Sequence, residues 1–241
     1  MICYIPTKGR VNTKTYKLFE EVGIEVVHFI EPQEYDKYKV PNKVSIEQND
    51  KGISYVRNFM LNYAKKNNQD WVIMCDDDVK RFGVYDGKTT PKNASIWIDI
   101  LKKAKKLPFE VYGINYIQYA WASKTSYSIN KSFIEVCVLI NIKKIKWGYI
   151  EGMKQDREFC LEAIKNGAGI FKFNKIWHDS PTVGTNKGGL HDSYKNKEDT
   201  KAALRLVRKF YPHAKIVKKG DRVEARIDIK GYAKSLNKIV K

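Results

Sequence analysis

The 241 residues are enough for one compact domain with a sizeable core, and a hydrophobic content of 43% argues for a folded chain. No run approaches the ~18 consecutive apolar residues of a membrane-spanning helix, and the apolar start Met1-Ile2-Cys3-Tyr4-Ile5 is too short for a signal-peptide core, so a cytoplasmic protein is expected. The formal net charge of +18 points to a polyanionic partner, nucleic acid before anionic membrane, or else to a lysine-rich solvated surface without one.

Residues 2–5 and 24–30 read as short buried strands with a helical stretch over about residues 13–22 between them, a β-α-β opening. Ile53, Val56, Met60 and Tyr63-Ala64 recur at near-helical spacing, which predicts a helix over about residues 54–66. The apolar run Trp71-Val72-Ile73-Met74-Cys75 follows, a buried strand whose carboxyl end delivers three consecutive carboxylates, Asp76-Asp77-Asp78. Strands alternating with helices imply a mostly parallel sheet covered on both faces.

Beyond the triplet, residues 79–92 are polar, carry Gly83, Asp86-Gly87 and Pro91, and read as a loop or hairpin at the site edge. A helix over about residues 94–106 precedes strands over residues 111–118 and 133–140, and residues 120–131 between them have little periodicity and suit a substrate-facing loop. A helix over residues 156–165, closed by Asn166-Gly167, and a strand over residues 169–177 come next. Residues 180–193 are dense in glycine and are expected to form a mobile lid. The tail carries a helix over residues 198–210, ended by Pro212, and a hairpin turning at Gly220-Asp221, with lysines and arginines crowded from Arg205 to Arg226. Cys3, Cys75, Cys137 and Cys160 lack the close pairs of a zinc site and are expected to be buried free thiols.

The triplet needs compensating charge. On a continuing strand, Asp76 and Asp78 project to one side and Asp77 to the other. Two convergent carboxylates favour a hard divalent cation such as magnesium or manganese. A solvated acidic strand end is the plainer alternative.

In chain order, the segments IPTKGR, GISYVRNFMLNYA, DWVIMCDDDV, KQDREFCLEAIKNG and FNKIWH resemble a nucleotide-sugar glycosyltransferase of the GT-A fold over roughly residues 1–180. The resemblance implies an α/β, Rossmann-like domain with a mostly parallel central sheet flanked by helices over residues 1–195. Residues 196–241 would then be a basic C-terminal helix and hairpin packed on the same domain. In that family a DxD-type motif holds Mn2+ or Mg2+ against the nucleotide diphosphate, where a cation stabilises the growing charge of the leaving group. Asp78 is then a metal ligand, Asp76 a ligand or a ribose contact, and Asp77 a contact to the sugar or to a basic neighbour.

The same resemblance places Pro6, Thr7 and Arg10 on the donor at the end of the first strand, although Pro and Gly there also suit a plain turn. Glu31 resembles the acid that contacts the nucleoside, or is a surface loop acid. Gly52 and Arg57 match a stretch that lies over the donor, where a guanidinium meets phosphate or a carboxylate, or Arg57 is a solvated helix residue. Asp156 stands where the family has its catalytic base, with Gln155 replacing the usual glutamate. Capping of the helix is its structural alternative. His178 resembles the late histidine that completes metal coordination, and imidazole suits manganese better than magnesium. His191 is a weaker candidate for a phosphate or acceptor contact.

Within GT-A enzymes, this small basic chain with its FIEPQEY element resembles the phage and TET-associated group that glycosylates modified bases in DNA. That implies a hydroxymethylated pyrimidine acceptor, phosphates met by lysine and arginine, and an extruded base held by aromatic side chains, with Trp121, Tyr127 and Trp147 as candidates. A polysaccharide or protein acceptor, and a non-catalytic nucleic-acid-binding module, remain as alternatives.

Overall fold

The computed structural model describes residues 1–181, 198–220 and 222–241. The chain opens with strand β1 (Ile2–Thr7), helix α1 (Thr15–Glu20), strand β2 (Glu25–Ile30), a 3-10 turn (Pro32–Lys37) and the short strand β3 (Lys43–Ser45). Helix α2 (Gly52–Lys66) leads into β4 (Trp71–Cys75), followed by a hairpin of β5 (Arg81–Tyr85) and β6 (Thr89–Lys92). Next come α3 (Ile96–Ala104), β7 (Val111–Tyr116), the single turn α4 (Ile117–Ala120), β8 (Tyr127–Ile129), β9 (Cys137–Asn141), α5 (Gln155–Asn166) and β10 (Ile170–Asp179). The last described elements are α6 (Glu198–Lys209), a hairpin of β11 (Ala214–Lys219) and β12 (Arg222–Ile227), and α7 (Ile229–Ser235).

The central sheet runs in the order β3-β2-β1-β4-β9-β7-β10-β5-β6, with β8 pairing against β10 off that path. Strands β3, β2, β1 and β4 are parallel neighbours, and this is the half that carries the acidic triplet. Strand β9 is antiparallel to both β4 and β7, while β7 and β10 are again parallel.

Alternation along the strands sorts the core into two layers. Ile2 and Tyr4 of β1 pack with Val56, Met60 and Ala64 of α2 and Phe159 of α5 on one face. Cys3 and Ile5 pack with Phe19 of α1 and Trp97 of α3 on the other. Each fully buried Ile, Phe or Met side chain among them contributes roughly 1.5–3 kcal/mol. The near-helical spacing seen in residues 53–64 is therefore the buried stripe of α2, which crosses the parallel strands and brings its amino-terminal turns to their carboxyl ends.

Four differences from the sequence-based expectations have physical causes. Strand β4 ends at Cys75, so Asp76-Asp77-Asp78 lie in a turn and the strict alternation expected of them does not apply. Strand β10 extends to Asp179, which puts His178 inside the strand, paired with Phe82 and Tyr116, rather than after it. The weakly periodic residues 120–131 contain β8, which is held by pairing with β10 and carries no pattern of its own. The strand expected over residues 111–118 stops at Tyr116 and turns directly into α4. The four cysteines are buried and free. Residues 182–193 of the expected lid, His191 among them, lie outside the described residues.

The C-terminal elements share the α5 side of the core. Ala203 and Leu206 of α6, Ala225 of β12 and Ile229 and Ala233 of α7 are buried in the same layer as Phe159. Ion pairs fasten the contact: Lys209 reaches Glu158 at 3.0 Å and Glu162 at 2.7 Å, and Arg205 reaches Glu158 at 3.2 Å. Two of the crowded cations in this region are thus spent on α5.

Candidate active site

Because β2, β1 and β4 are parallel, Ile30, Thr7 and Cys75 end at one edge of the sheet, where open α/β sheets hold their ligands. The acidic turn at that edge is divided between two arginines. Thr7 Oγ1 donates to Asp77 Oδ2 at 2.6 Å, and the Arg10 guanidinium pairs with Asp77 and lies 3.2 Å from Asp78 Oδ2. Asp76 turns instead to Arg57 of α2, at 2.8 Å, and its backbone N–H donates to the Val136 carbonyl at 2.9 Å. Burial pushes the Asp77 carboxyl up to about 6, and Arg10 offsets only part of that shift. Burial likewise raises Asp76, partly offset by Arg57. Arg57 is itself buried; the cost to its charge is more than offset by Asp76, with Tyr149 and Asp156 adding, so it holds its proton more tightly than usual.

The loop after β1 links this turn to the end of β2. Lys8 Nζ lies 2.9 Å from Glu31 Oε1 and also pairs with Asp50 at 2.5 Å, while the Arg10 N–H donates to the Tyr38 hydroxyl at 2.9 Å. Glu31 is buried and accepts a second hydrogen bond from Gln33 Nε2 at 2.7 Å. Pro6 is buried within β1 next to Thr7. Gly52 begins α2 at a φ of +78°, a left-handed conformation that favours glycine, and Arg57 follows on the same helix.

Asp156 sits in the first turn of α5. Its cap is Lys154, in the left-handed region, and Asp156 Oδ1 accepts the Arg157 N–H at 2.8 Å. The carboxylate therefore accepts from its own first turn rather than capping the helix from outside it. With Arg57, Glu135 and Tyr149, it lines a small cavity of ≈ 10 Å³. Burial and then Glu135 push Asp156 up to about 6, with Arg57 and Arg157 pulling the other way. Gln155 is buried, and its Oε1 finds no hydrogen-bond partner among the described residues.

His178 is fully buried, with Nδ1 3.2 Å from Ser180 Oγ and Nε2 without a partner among the described residues. Burial, ahead of Lys172, lowers its imidazole to about 3, so it is neutral near pH 7. The Tyr116 ring stands 4.4 Å from it, and the Tyr116 hydroxyl donates to Glu135 Oε2 at 3.3 Å. Among the described residues, no group of three or more His, Cys, Asp or Glu side chains is gathered as a metal-ligand set. Asp76 and Asp78 do present hard oxygen donors, and two carboxylates completed by substrate phosphates are a common way to hold magnesium.

The three candidate aromatics separate. Trp121 is exposed, Trp147 packs against the Phe159 ring of the core, and Tyr127 stacks on Phe171 with ring centres 4.9 Å apart. Sequence reading missed Lys8, Tyr38, Tyr116, Glu135, Tyr149 and Arg157 at or beside the site. For Glu135 a signal existed: it is a lone acid between Ile134 and Val136 in an otherwise apolar segment.

The fold is that of a GT-A nucleotide-sugar glycosyltransferase. A family model described as TET-associated glycosyltransferase matches residues 1–189, and the chain belongs to that family. Glucosyl-3-phosphoglycerate synthase from Mycobacterium tuberculosis, solved with Mn2+, uridine diphosphate and glucosyl-3-phosphoglycerate, is similar in fold at a TM-score of 0.57. That alignment covers 95% of this chain and 90% of that one at 9% identity. A197 from STIV aligns over 75% of this chain and 85% of its own at 13% identity, with a TM-score of 0.46. No curated protein matches the sequence. The chain is therefore a glycosyltransferase that uses a nucleotide-sugar donor.

Proposed function

We propose that this enzyme moves a sugar from a nucleotide-diphosphate sugar to a hydroxymethylated pyrimidine base in DNA, with manganese or magnesium at the acidic turn. The observation that carries the reading is the division of the carboxylates: Asp77 and Asp78 on Arg10, Asp76 on Arg57, and Asp156 with Arg57 along the same small cavity. The DNA acceptor is supported by the family to which the chain belongs and by the net charge of +18. The metal is supported by the Mn2+ and uridine diphosphate bound in the glucosyl-3-phosphoglycerate synthase complex.

In this reading Pro6, Thr7 and Arg10 line the donor, with Thr7 and Arg10 also fixing Asp77, and Glu31 meets the nucleoside. Gly52 starts the helix that sets Arg57 beside Asp76. Asp76 and Asp78 would hold the cation together with the donor phosphates, and His178, whose Nε2 is unpartnered among the described residues, would join as a nitrogen ligand only when the cation draws the three together, since they are not gathered without it. When bound there, a cation would supply charge neutralisation to the leaving diphosphate. Asp156 takes the proton from the acceptor hydroxyl while that oxygen bonds to the anomeric carbon and the bond from this carbon to the diphosphate oxygen breaks. A carboxyl raised to about 6 by burial and Glu135 is still deprotonated at pH 7 and is a stronger base than an ordinary aspartate.

The test is mass analysis of hydroxymethylcytosine-containing DNA incubated with UDP-glucose and a panel of other sugar nucleotides in the presence of Mn2+. The expected result is one sugar increment per modified base. No increment with any donor, on protein shown to be folded, overturns the acceptor assignment.

A further inference from the structure

The Asp156 side of the site is tied to the C-terminal hairpin by a chain of ion pairs that no catalytic assignment uses. Arg157, next to Asp156, places Nε 3.2 Å from Glu135 Oε1 and Nη1 3.1 Å from Glu224 Oε2. Glu135 precedes β9, Glu224 lies on β12, and Arg157 lies on α5, so one guanidinium joins α5, β12 and the segment leading into β9. Glu224 is held from the other side by Lys154, the residue that caps α5. Glu135 also accepts from the Tyr116 hydroxyl at 3.3 Å, and the adjoining Val136 carbonyl takes the Asp76 N–H. The matched family region ends at residue 189, so Glu224 lies outside it.

We propose that Glu135 and Arg157 are positioning residues that hold Asp156 between a negative and a positive neighbour, and that the C-terminal hairpin, through Glu224, fixes Arg157 in that place. A planar guanidinium with donors on two edges can serve two carboxylates at once, and an ammonium cannot reproduce that fork. The groups facing Asp156 are Arg57 of α2, Tyr116 of β7, Glu135, Tyr149, and Arg157 and Cys160 of α5. Of these, Glu135 and Arg157 are directly paired with each other, so moving either changes the charge balance at Asp156. The burial of Asp156 alone does not set that balance, because Glu135 raises its proton affinity and Arg157 lowers it. The inference rests on Asp156 being the base of the proposed function, and it makes the hairpin part of the acceptor side rather than a separate basic arm.

The experiment follows the Asp156 carboxyl carbon of the full chain by NMR titration, assigned by its loss in Asp156→Asn, with no sugar or DNA present. The wild-type midpoint is expected near 6. Glu135→Gln removes a like charge and lowers the midpoint; Arg157→Gln removes an opposite charge and raises it. The upward shift from Arg157→Gln is expected to be smaller when Glu224→Gln is already present, because the guanidinium is then no longer held in place. Should Arg157→Gln fail to fold, Arg157→Lys keeps the charge without the fork and is expected to give a shift of the same sign but smaller size. Equal midpoints in wild type, Glu135→Gln and the folded Arg157 variant overturn the positioning role. Additive shifts for Arg157 and Glu224 overturn the part given to the hairpin. Asp156→Asn retaining full transfer activity overturns the base assignment instead, which keeps the two failures apart.

Discussion

Arg57 Nη2 stands 2.8 Å from Asp76 Oδ1, with the guanidinium 5.5 Å from the centre of the Tyr149 ring. This pair joins α2 to the turn after β4, and Tyr149 is in turn locked to the next residue of α2, because Asn58 exchanges two hydrogen bonds of 2.7 Å with the Tyr149 backbone. Breaking a fully buried pair costs about 3–5 kcal/mol. The Asp76 side chain is 33% exposed, which solvent screening reduces. Arg57→Ala is therefore expected to destabilise the fold by about 1–2 kcal/mol. The readout is a lower urea midpoint at constant m. Arg57→Lys should recover part of the loss, and a midpoint unchanged in Arg57→Ala contradicts a structural share for the pair.

Asp78 shares Arg10 with Asp77, and Asp77 keeps its own bond from Thr7. Asp78→Asn therefore leaves the turn assembled while removing one charged oxygen ligand of the proposed cation. Charge stabilisation at a leaving diphosphate is worth several kcal/mol, and each 1.36 kcal/mol is tenfold in rate, so transfer should fall by about 100-fold or more. Calorimetric titration with UDP and Mn2+ should show weakened binding with Tm close to wild type. Full activity in this variant removes Asp78 from the metal assignment.

For Asp156, the sign of the pH effect follows from its proposed role as base. With its carboxyl raised to about 6, kcat/KM should fall tenfold per pH unit below about 6 and be flat above it until another group titrates. Asp156→Asn should cost roughly 10²–10⁴ in transfer rate. The folded protein binds this proton more tightly than the unfolded chain, so the contribution of Asp156 to stability falls as pH rises from the ordinary aspartate range through about 6. The Asn variant is thus expected to lose activity at pH 7 without losing thermal stability, a combination that simple misfolding does not produce.

Strands β1, β2 and β4 and helix α2 are legible because each buries a continuous apolar pattern, and the acidic triplet because charge so rarely follows such a run unpaired. Strands β3 and β8 and helices α4 and α7 are not, since three to seven residues hold too little periodicity and their place is set by neighbours such as β10. Arg10 and Arg57 stand out as candidates by position, but which aspartate each would take depended on where β4 ends. A continuing strand pairs Asp76 with Asp78; the turn that begins at Asp76 pairs Asp77 with Asp78. The Glu135–Arg157–Glu224 chain joins residues 89 positions apart in sequence, on α5, β12 and the segment before β9, so only the packing of the hairpin on α5 makes it visible.

Gly83 of β5 faces the Trp177 ring across the pairing with β10. A Cβ there would lie 2.0 Å from Trp177 Cζ2 and 2.4 Å from the Thr90 carbonyl oxygen, the second of which is backbone and cannot swing aside. Trp177 is fully buried one residue from His178, so the ring has no free volume to retreat into. Gly83→Ala is expected to cost about 1–3 kcal/mol. In a chain of this size that lowers Tm by roughly 2–12 °C. A Tm within 1 °C of wild type, in a scan precise to about that margin, would show that the hairpin of β5 and β6 moves as a unit instead.

Tyr119 and Trp121 lie at the end of α4 with exposures of 57% and 62%, and Tyr119 meets the ring of Tyr116, which borders Glu135. A base drawn out of a duplex can stack on such exposed rings irrespective of sequence, and each stacking contact is worth about 1–3 kcal/mol. On the proposed DNA acceptor, Tyr119→Ala combined with Trp121→Ala should weaken binding of hydroxymethylcytosine-containing DNA by that order while leaving its salt dependence unchanged, because no phosphate contact is lost. Lys124 is exposed three residues further on. Lys124→Ala should instead reduce the slope of log K against log salt by about 0.9, the signature of one phosphate contact removed. Fluorescence anisotropy across a salt series separates the two effects. If the aromatic pair changes the slope and the lysine does not, stacking of the proposed acceptor on these two rings is overturned.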